Sequence, residues 1–172
     1  TVTGVQTCAL PIYHTLRLAY VGDPGQTALA GAQQGLIEAN LQGQFLNQEY
    51  VLEIVKPEAA LATDYSPFLA VVAAVDRDTY LKLAEKLPGV PVFNVTLADD
   101  ELRALCLPNT LHLPPSGKMK QDAVAQWHQK NPEARVTAQT WHPDFVKFAA
   151  RDLNKRFSKN FAMPMDDHAW AG

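Results

Sequence analysis

The chain has 172 residues, 47% of them apolar, with a formal net charge of −3, which is material for one well-packed domain rather than two. The charge balance lacks the Lys and Arg excess of a nucleic-acid-binding surface, and no uninterrupted apolar run reaches the length of a membrane span. Two isolated cysteines, Cys8 and Cys106, are weak grounds for a disulfide or a metal site.

Residues 1–12, TVTGVQTCALPI, have neither the basic start and apolar stretch of a signal peptide nor a pattern that continues into Leu16. They resemble translated sequencing-adapter read-through. Residues 1–15 are therefore expected to be a leader outside the domain, residues 16–172 a single domain, and Cys8 leaves the argument. Residues 16–21 form an apolar run rich in strand formers, broken sharply by Gly22-Asp23-Pro24-Gly25. Thr27 is placed to cap a helix in which Leu29, Ala32, Leu36, Ile37 and Leu41 recur at helical spacing, leaving Gln33, Gln34, Glu38 and Asn40 toward water. Gly43 is expected to end that helix, and residues 50–55 to return as a strand. A strand, a crossover helix and a second strand make a right-handed unit whose home is a parallel sheet.

Residues 56–67 read as a connection with about one helical turn at 58–62. Residues 68–75 suit a strand buried on both faces. Residues 76–87 form the next helix, with Tyr80, Leu81, Leu83, Ala84 and Leu87 on its buried side, ended by Pro88-Gly89. Then come a strand at 90–95, a short helix at 99–105, and a strand at 110–113 before a Pro-Pro-Ser-Gly break. Residues 119–129 are helical with Ala123, Val124 and Trp127 on one side, and residues 135–140 read as a short strand. From Pro143 onward the ladder Phe145, Ala149, Leu153 and Phe157, joined by Phe148, marks an amphipathic helix, and a new helix is expected to start near Asp166. Strands alternating with helices argue for α/β: three layers, a mostly parallel sheet with helices on both faces.

In such sheets ligands sit beyond the carboxyl ends of the strands, which singles out five residues. Asp23, between two glycines, is either a ligand acceptor or a turn residue bonding its own backbone. Asp76 and Arg77 come after the third strand: Arg77 offers a bidentate clamp on a carboxylate, or the pair is a helix cap beside a solvated arginine. Asn94 and Thr96 end the fourth strand. Catalytic chemistry has no foothold. GDPGQT is neither a dinucleotide-binding turn nor a P-loop, and Ser66 and Ser116 lack a nucleophile elbow. His112, His128, His142 and His168 are scattered without metal-ligand spacing and read as surface or cap residues. Neither a cofactor nor a metal is expected.

The segment GAQQGLIEANLQGQFLNQEYVLEIV resembles the first helix and second strand of type I periplasmic binding proteins, the solute-binding subunits of ABC transporters typified by branched-chain amino acid receptors. VPVFNVTLADDELRAL and NTLHLPPSGKMKQDAVAQW are similar to the family's next strand, its loop, and the strand and helix before the crossing into the second lobe. TWHPDFVKFAARDLNKRFSKNFAMPMDDHAWAG resembles the late helix and the start of the returning helix, particularly in the subgroup associated with PQQ-dependent alcohol oxidation. The resemblance implies the flavodoxin-like first lobe of that fold, a periplasmic location, a small polar solute as ligand, ABC transporter membrane subunits as possible partners, and no catalysis. Asn94 and Thr96 fall where the family often places a ligand-binding hydroxyl, and Asp23, Asp76 and Arg77 on the neighbouring loops.

The chain departs from the family in two respects. A complete member carries about a hundred further residues of second lobe between Trp127 and Thr140, where this chain has about a dozen. The loop Ala73-Ala74-Val75-Asp76-Arg77 also lacks the serines that hold an amino-acid carboxylate, so an amino-acid ligand is not carried over. The alternative expectation is a one-lobed, non-catalytic interaction or accessory domain linked to a PQQ-dependent oxidation pathway.

Overall fold

In the computed structural model, which describes residues 14–142 and 150–172, the alternating pattern becomes one five-stranded, all-parallel sheet in the order β2-β1-β3-β4-β5. The strands are β1 (His14–Gly22), β2 (Gln48–Val55), β3 (Ala70–Ala74), β4 (Val92–Asn94) and β5 (Thr110–His112). The helices are α1 (Thr27–Leu46), α2 (Arg77–Lys86), α3 (Asp100–Ala104), α4 (Gly117–Lys130), α5 (Ala150–Phe161) and α6 (Asp167–Ala171), with a 3-10 turn at Pro57–Ala59. Phe145, Phe148 and Ala149 of the expected late helix lie outside the described residues.

Because strand side chains alternate, β1, β3 and β4 feed two cores. Ala19, Val21, Val71, Ala73 and Val92 point to one face and meet Tyr80 and Leu83 of α2, with Tyr65 and Phe68 from the preceding connection. Tyr20, Ala74 and Val95 point to the other and meet Ala28, Leu29 and Ala32 of α1 and Ala171 of α6. Helices thus cover both faces, as a parallel sheet requires, and the architecture is three-layer α/β with the flavodoxin-like strand order.

Helix α1 differs from its sequence reading at several residues. Gly43 does not end it. The helix runs on to Leu46 and stops at Asn47, which takes the left-handed conformation at φ 53° and donates its N–H to the Gly43 carbonyl, a conformation asparagine tolerates. Gly43 is needed for a different reason: a Cβ there would sit 2.5 Å from the Gln48 carbonyl oxygen, so the helix end presses directly on the start of β2. Thr27 is not the cap either. Gln26 precedes the helix, and the Thr27 hydroxyl donates instead to the Asp166 carboxylate at 2.8 Å.

The polar and apolar sides are also redistributed. Gln34 is 2% exposed, donating to Glu38 Oε1 at 2.7 Å and accepting from Asn160 of α5 at 2.9 Å, while Arg156 of α5 donates to Glu38 at 2.6 Å. Ile37 and Leu41 are exposed, and Phe45 is 89% exposed. The reason is that α1 has two partners, the sheet below and the C-terminal helices above. A single apolar stripe describes only a helix with one. Gly31 marks the upper contact, where any Cβ would collide with the Ala169 carbonyl of α6. Here Trp141 stacks on Trp170 with ring centroids 4.1 Å apart, and Ala30, Phe157 and Met165 complete a third apolar cluster.

The expected strand at 135–140 does not form. A strand needs a neighbour to pair with, and among the described residues no strand stands beside this segment. It runs back along α4, with residues 136–138 facing Val124 and Trp127 across a shallow groove. Helix α4 buries no residue: Ala123, Val124 and Trp127 share one side of it, along this groove, and Trp127 is exposed.

Strand β2 forms one edge of the sheet, and unpaired edges recruit other chains. The Asn40 amide meets it as another strand would, accepting from the Tyr50 N–H at 2.7 Å and donating to the Tyr50 carbonyl at 2.9 Å. Asn40 is therefore half-buried against the sheet edge rather than free in water. The variant Asn40→Ala is expected to lose about 1–2 kcal/mol in urea unfolding and to gain concentration-dependent self-association as the edge is bared. Stability and association equal to those of the parent chain would refute this role.

Candidate functional site

With every strand parallel, all strand-to-helix junctions lie on one rim, and the strand order reverses between β1 and β3. That is the topological switch point where a ligand crevice opens in such sheets. Residues 23–26 after β1 and 75–76 after β3 flank it, residues 95–99 after β4 lie one strand further along the same rim, and together with the strand and helix ends they join these loops carry all five residues singled out from the sequence.

Four of the five side chains are engaged by other groups of the rim or the sheet. Asp23 Oδ1 accepts from Gly25 N at 2.8 Å, a local turn that is continued by Gln26 N donating to the Asp23 carbonyl. Asp76 caps α2: its Oδ1 accepts from Thr79 N at 3.0 Å and its Oδ2 from the Thr79 hydroxyl at 2.6 Å. These two bonds, the hydroxyl's first, hold its carboxyl below the ordinary value of 3.8. Arg77 is not held for a ligand carboxylate. It donates to Glu101 Oε2 at 3.0 Å and lies 3.9 Å from Asp99, both at the start of α3.

Asn94 is fully buried, 0% exposed, and all four hydrogen-bonding positions of its amide are used. Its Oδ1 accepts from Thr96 N at 3.1 Å and Leu97 N at 2.7 Å. Its Nδ2 donates to the Leu97 carbonyl at 2.7 Å and lies 3.0 Å from His112 Nδ1. Thr96 is the exception: only its backbone is tied down, and among the described residues nothing bonds its hydroxyl. The half-buried Thr96 side chain therefore remains available at the crevice on a loop whose backbone is fixed.

Two further residues belong to this rim although sequence reasoning passed over them. Tyr20 donates its hydroxyl to Gln26 Oε1 at 3.1 Å and so ties the first loop to the sheet. Burial, and then the Asp23 carboxylate, push its phenol up to about 12, which keeps the donor in place. His112, read as a surface or cap residue, is half-buried beside Asn94 with its ring 5.8 Å from that of Tyr80. The missed signal was register: in a parallel sheet Asn94 pairs with His112 on neighbouring strands, so two polar side chains at the same strand ends share a face.

The electrostatics of the rim are acidic. Asp23, Asp76, Asp78, Asp99, Asp100 and Glu101 all lie on it, opposed by Arg77 and Lys118. Asp166 already stands at the start of α1, accepting from Thr27, so the positive end of that helix is met from within the chain. Such a rim repels polyanions. Two concavities, of about 490 Å³ at Asn40, Gln44, Gln48 and Glu49 and of about 480 Å³ between α4 and residues 136–138, include no residue of these loops. Among the described residues no group of three or more His, Cys, Asp or Glu is placed to hold a metal ion, and no helix is long and apolar enough to cross a membrane.

No protein-family model matches the chain, and no curated protein resembles it significantly in sequence.

Removing the α2 cap separates a structural from a ligand role for Asp76. The variant Asp76→Ala is expected to lose about 1 kcal/mol at neutral pH. Because the folded-state value lies below the ordinary one, this contribution is present above about pH 4 and fades as pH falls through the depressed titration. Denaturation curves of parent and variant should therefore converge in acid. A deficit that does not shrink as the pH is lowered through the acid range would contradict the assignment.

Proposed function

We propose that this chain is the first lobe of a solute-binding protein of the type I periplasmic kind, serving an ABC-type uptake or sensing system, and that it holds a small polar solute beyond the carboxyl ends of β1, β3 and β4. The supporting observation is the Thr96 hydroxyl, which nothing bonds among the described residues and which lies on the switch-point rim, on a loop that Asn94 holds in place. The acidic rim favours an uncharged or cationic solute over a phosphate or a dicarboxylate. Orientation comes from Thr96 and from loop amides and carbonyls, since Asp23 and Asp76 serve their own junctions and Arg77 pairs with Glu101 of the next. A single rim is too open to exclude water. Tight binding in this reading requires a second surface closing over the crevice, as two-lobed binders achieve by hinge motion, and the exposed α4 with residues 131–140 offers a place where such a surface would join.

A second reading, a non-catalytic interaction domain, draws on a different observation: Ile37, Leu41 and Phe45 stand at intervals of four residues along α1 and are all exposed, an apolar stripe of the kind that marks partner surfaces.

Melting temperature against a panel of amino acids, small amides, polyols and alcohol-derived acids separates the two. The first reading predicts a rise with at least one uncharged or cationic member, by a few degrees at saturating concentration. It also predicts that Thr96→Ala abolishes the rise while leaving the unliganded melting temperature unchanged. No rise with any solute, together with self-association that Leu41→Lys and Phe45→Lys abolish, would replace it with the second.

A further inference from the structure

The amide of Asn94 determines the protonation state of its neighbour. Thr96 N and Leu97 N both need an acceptor and find Asn94 Oδ1, whereas the Leu97 carbonyl needs a donor and finds Asn94 Nδ2. The backbone therefore leaves the amide one orientation, with a single hydrogen left over. That hydrogen points at His112 Nδ1, 3.0 Å away. An amide hydrogen requires an acceptor there, so Nδ1 carries a lone pair, the ring is neutral, and its proton is on Nε2.

We propose that His112 is a positioning residue: in its neutral, Nε2-protonated form it accepts the last amide hydrogen of Asn94 and so locks the loop that presents Thr96, and protonation at Nδ1 releases that loop. The incoming proton occupies the Nδ1 lone pair, which turns an acceptor into a donor facing another donor. Asn94 must then rotate or withdraw. Either movement takes Oδ1 away from Thr96 N and Leu97 N, because one rigid amide makes all four bonds. The groups that face the ring are Tyr80 from α2, whose phenol is neutral and donates to the Val92 carbonyl, and the Arg103 guanidinium from α3. Arg103 opposes a second positive charge and sharpens the preference for the neutral ring. In agreement with the geometry, burial and then Arg103 lower the imidazole from its ordinary 6.5. With the folded-state value depressed, the lock holds at neutral pH and is lost as pH falls through a titration that lies below the ordinary 6.5.

The loop lock stands on the hydrogen bonds alone. That it regulates solute retention rests on the function proposed above, and the experiment keeps the two apart. In the ¹⁵N-labelled full chain, long-range ¹H–¹⁵N spectra report the His112 tautomer, and amide protection factors at Thr96 and Leu97 are followed from about pH 7.5, roughly a unit above the ordinary histidine value, down through the whole of the His112 titration. Expected are the Nε2-protonated tautomer at neutral pH and a drop in both protection factors of roughly fivefold to tenfold that tracks the His112 titration. His112→Gln, whose side-chain oxygen accepts without titrating, should keep the protection and flatten its pH dependence. His112→Leu should show the low protection at every pH. An Nδ1-protonated or charged ring at neutral pH, or protection that passes through the His112 titration unchanged, would overturn the proposal. If a solute from the panel binds, its affinity should weaken over the same interval in the parent chain and not in His112→Gln. If none binds, the exchange data still decide the lock, and only the proposed function fails.

Discussion

Parallel pairing is the constraint on which the rest of this structure depends. A parallel strand cannot turn back on its neighbour and must cross over through other structure, so each strand ends in a junction and all the junctions fall on one rim. The residues best suited to junctions, Asp, Asn, Gly and Pro, are also the residues that ligand sites favour. At this rim the two demands compete for the same side chains. Asp23 closes a turn, Asp76 caps α2 and Arg77 pairs with Glu101, so the polar groups most conspicuous in the sequence are spent on holding the loops in place. What is left for a ligand is what the junctions do not use, chiefly the Thr96 hydroxyl.

Asn94 concentrates this logic in one side chain. Being fully buried, its amide is costly unless every position is satisfied, and its four bonds join β4, its own loop and β5. The result is a rigid platform at a site where most of the charge is negative. In the reading proposed above, rigidity with a negative balance of charge suits a small neutral or cationic molecule better than phosphate, in contrast to the glycine-rich rims of nucleotide-binding sheets.

The layer architecture was legible in the sequence because it depends on periodicity: the runs that became β1, β3 and β4 and the buried side of α2 fall within a few residues of where the pattern puts them. Legibility failed where a residue answers to two neighbours at once. Gln34 and Asn40 look like the solvent side of α1, yet one is bound under α5 and the other guards the edge of β2. Gly43 looks like a helix stop and is a contact point. Residues 135–140 have, among the described residues, no strand beside them to pair with. At the site, the positions of Asp23, Asp76, Arg77, Asn94 and Thr96 on the rim came from strand order, but which of them remain free could not, because that depends on Glu101 and Thr79, and above all on a histidine one strand away.

The central claim is that the crevice between the loops after β1, β3 and β4 is the binding surface, and chemical-shift mapping of the ¹⁵N-labelled chain during titration with a solute that raises its melting temperature tests it most directly. The account predicts shifts concentrated at Gly25, Asp76, Thr96 and Leu97, with α4 and residues 136–138 unmoved. Shifts confined to the groove along α4, or to the exposed stripe of α1, would contradict it.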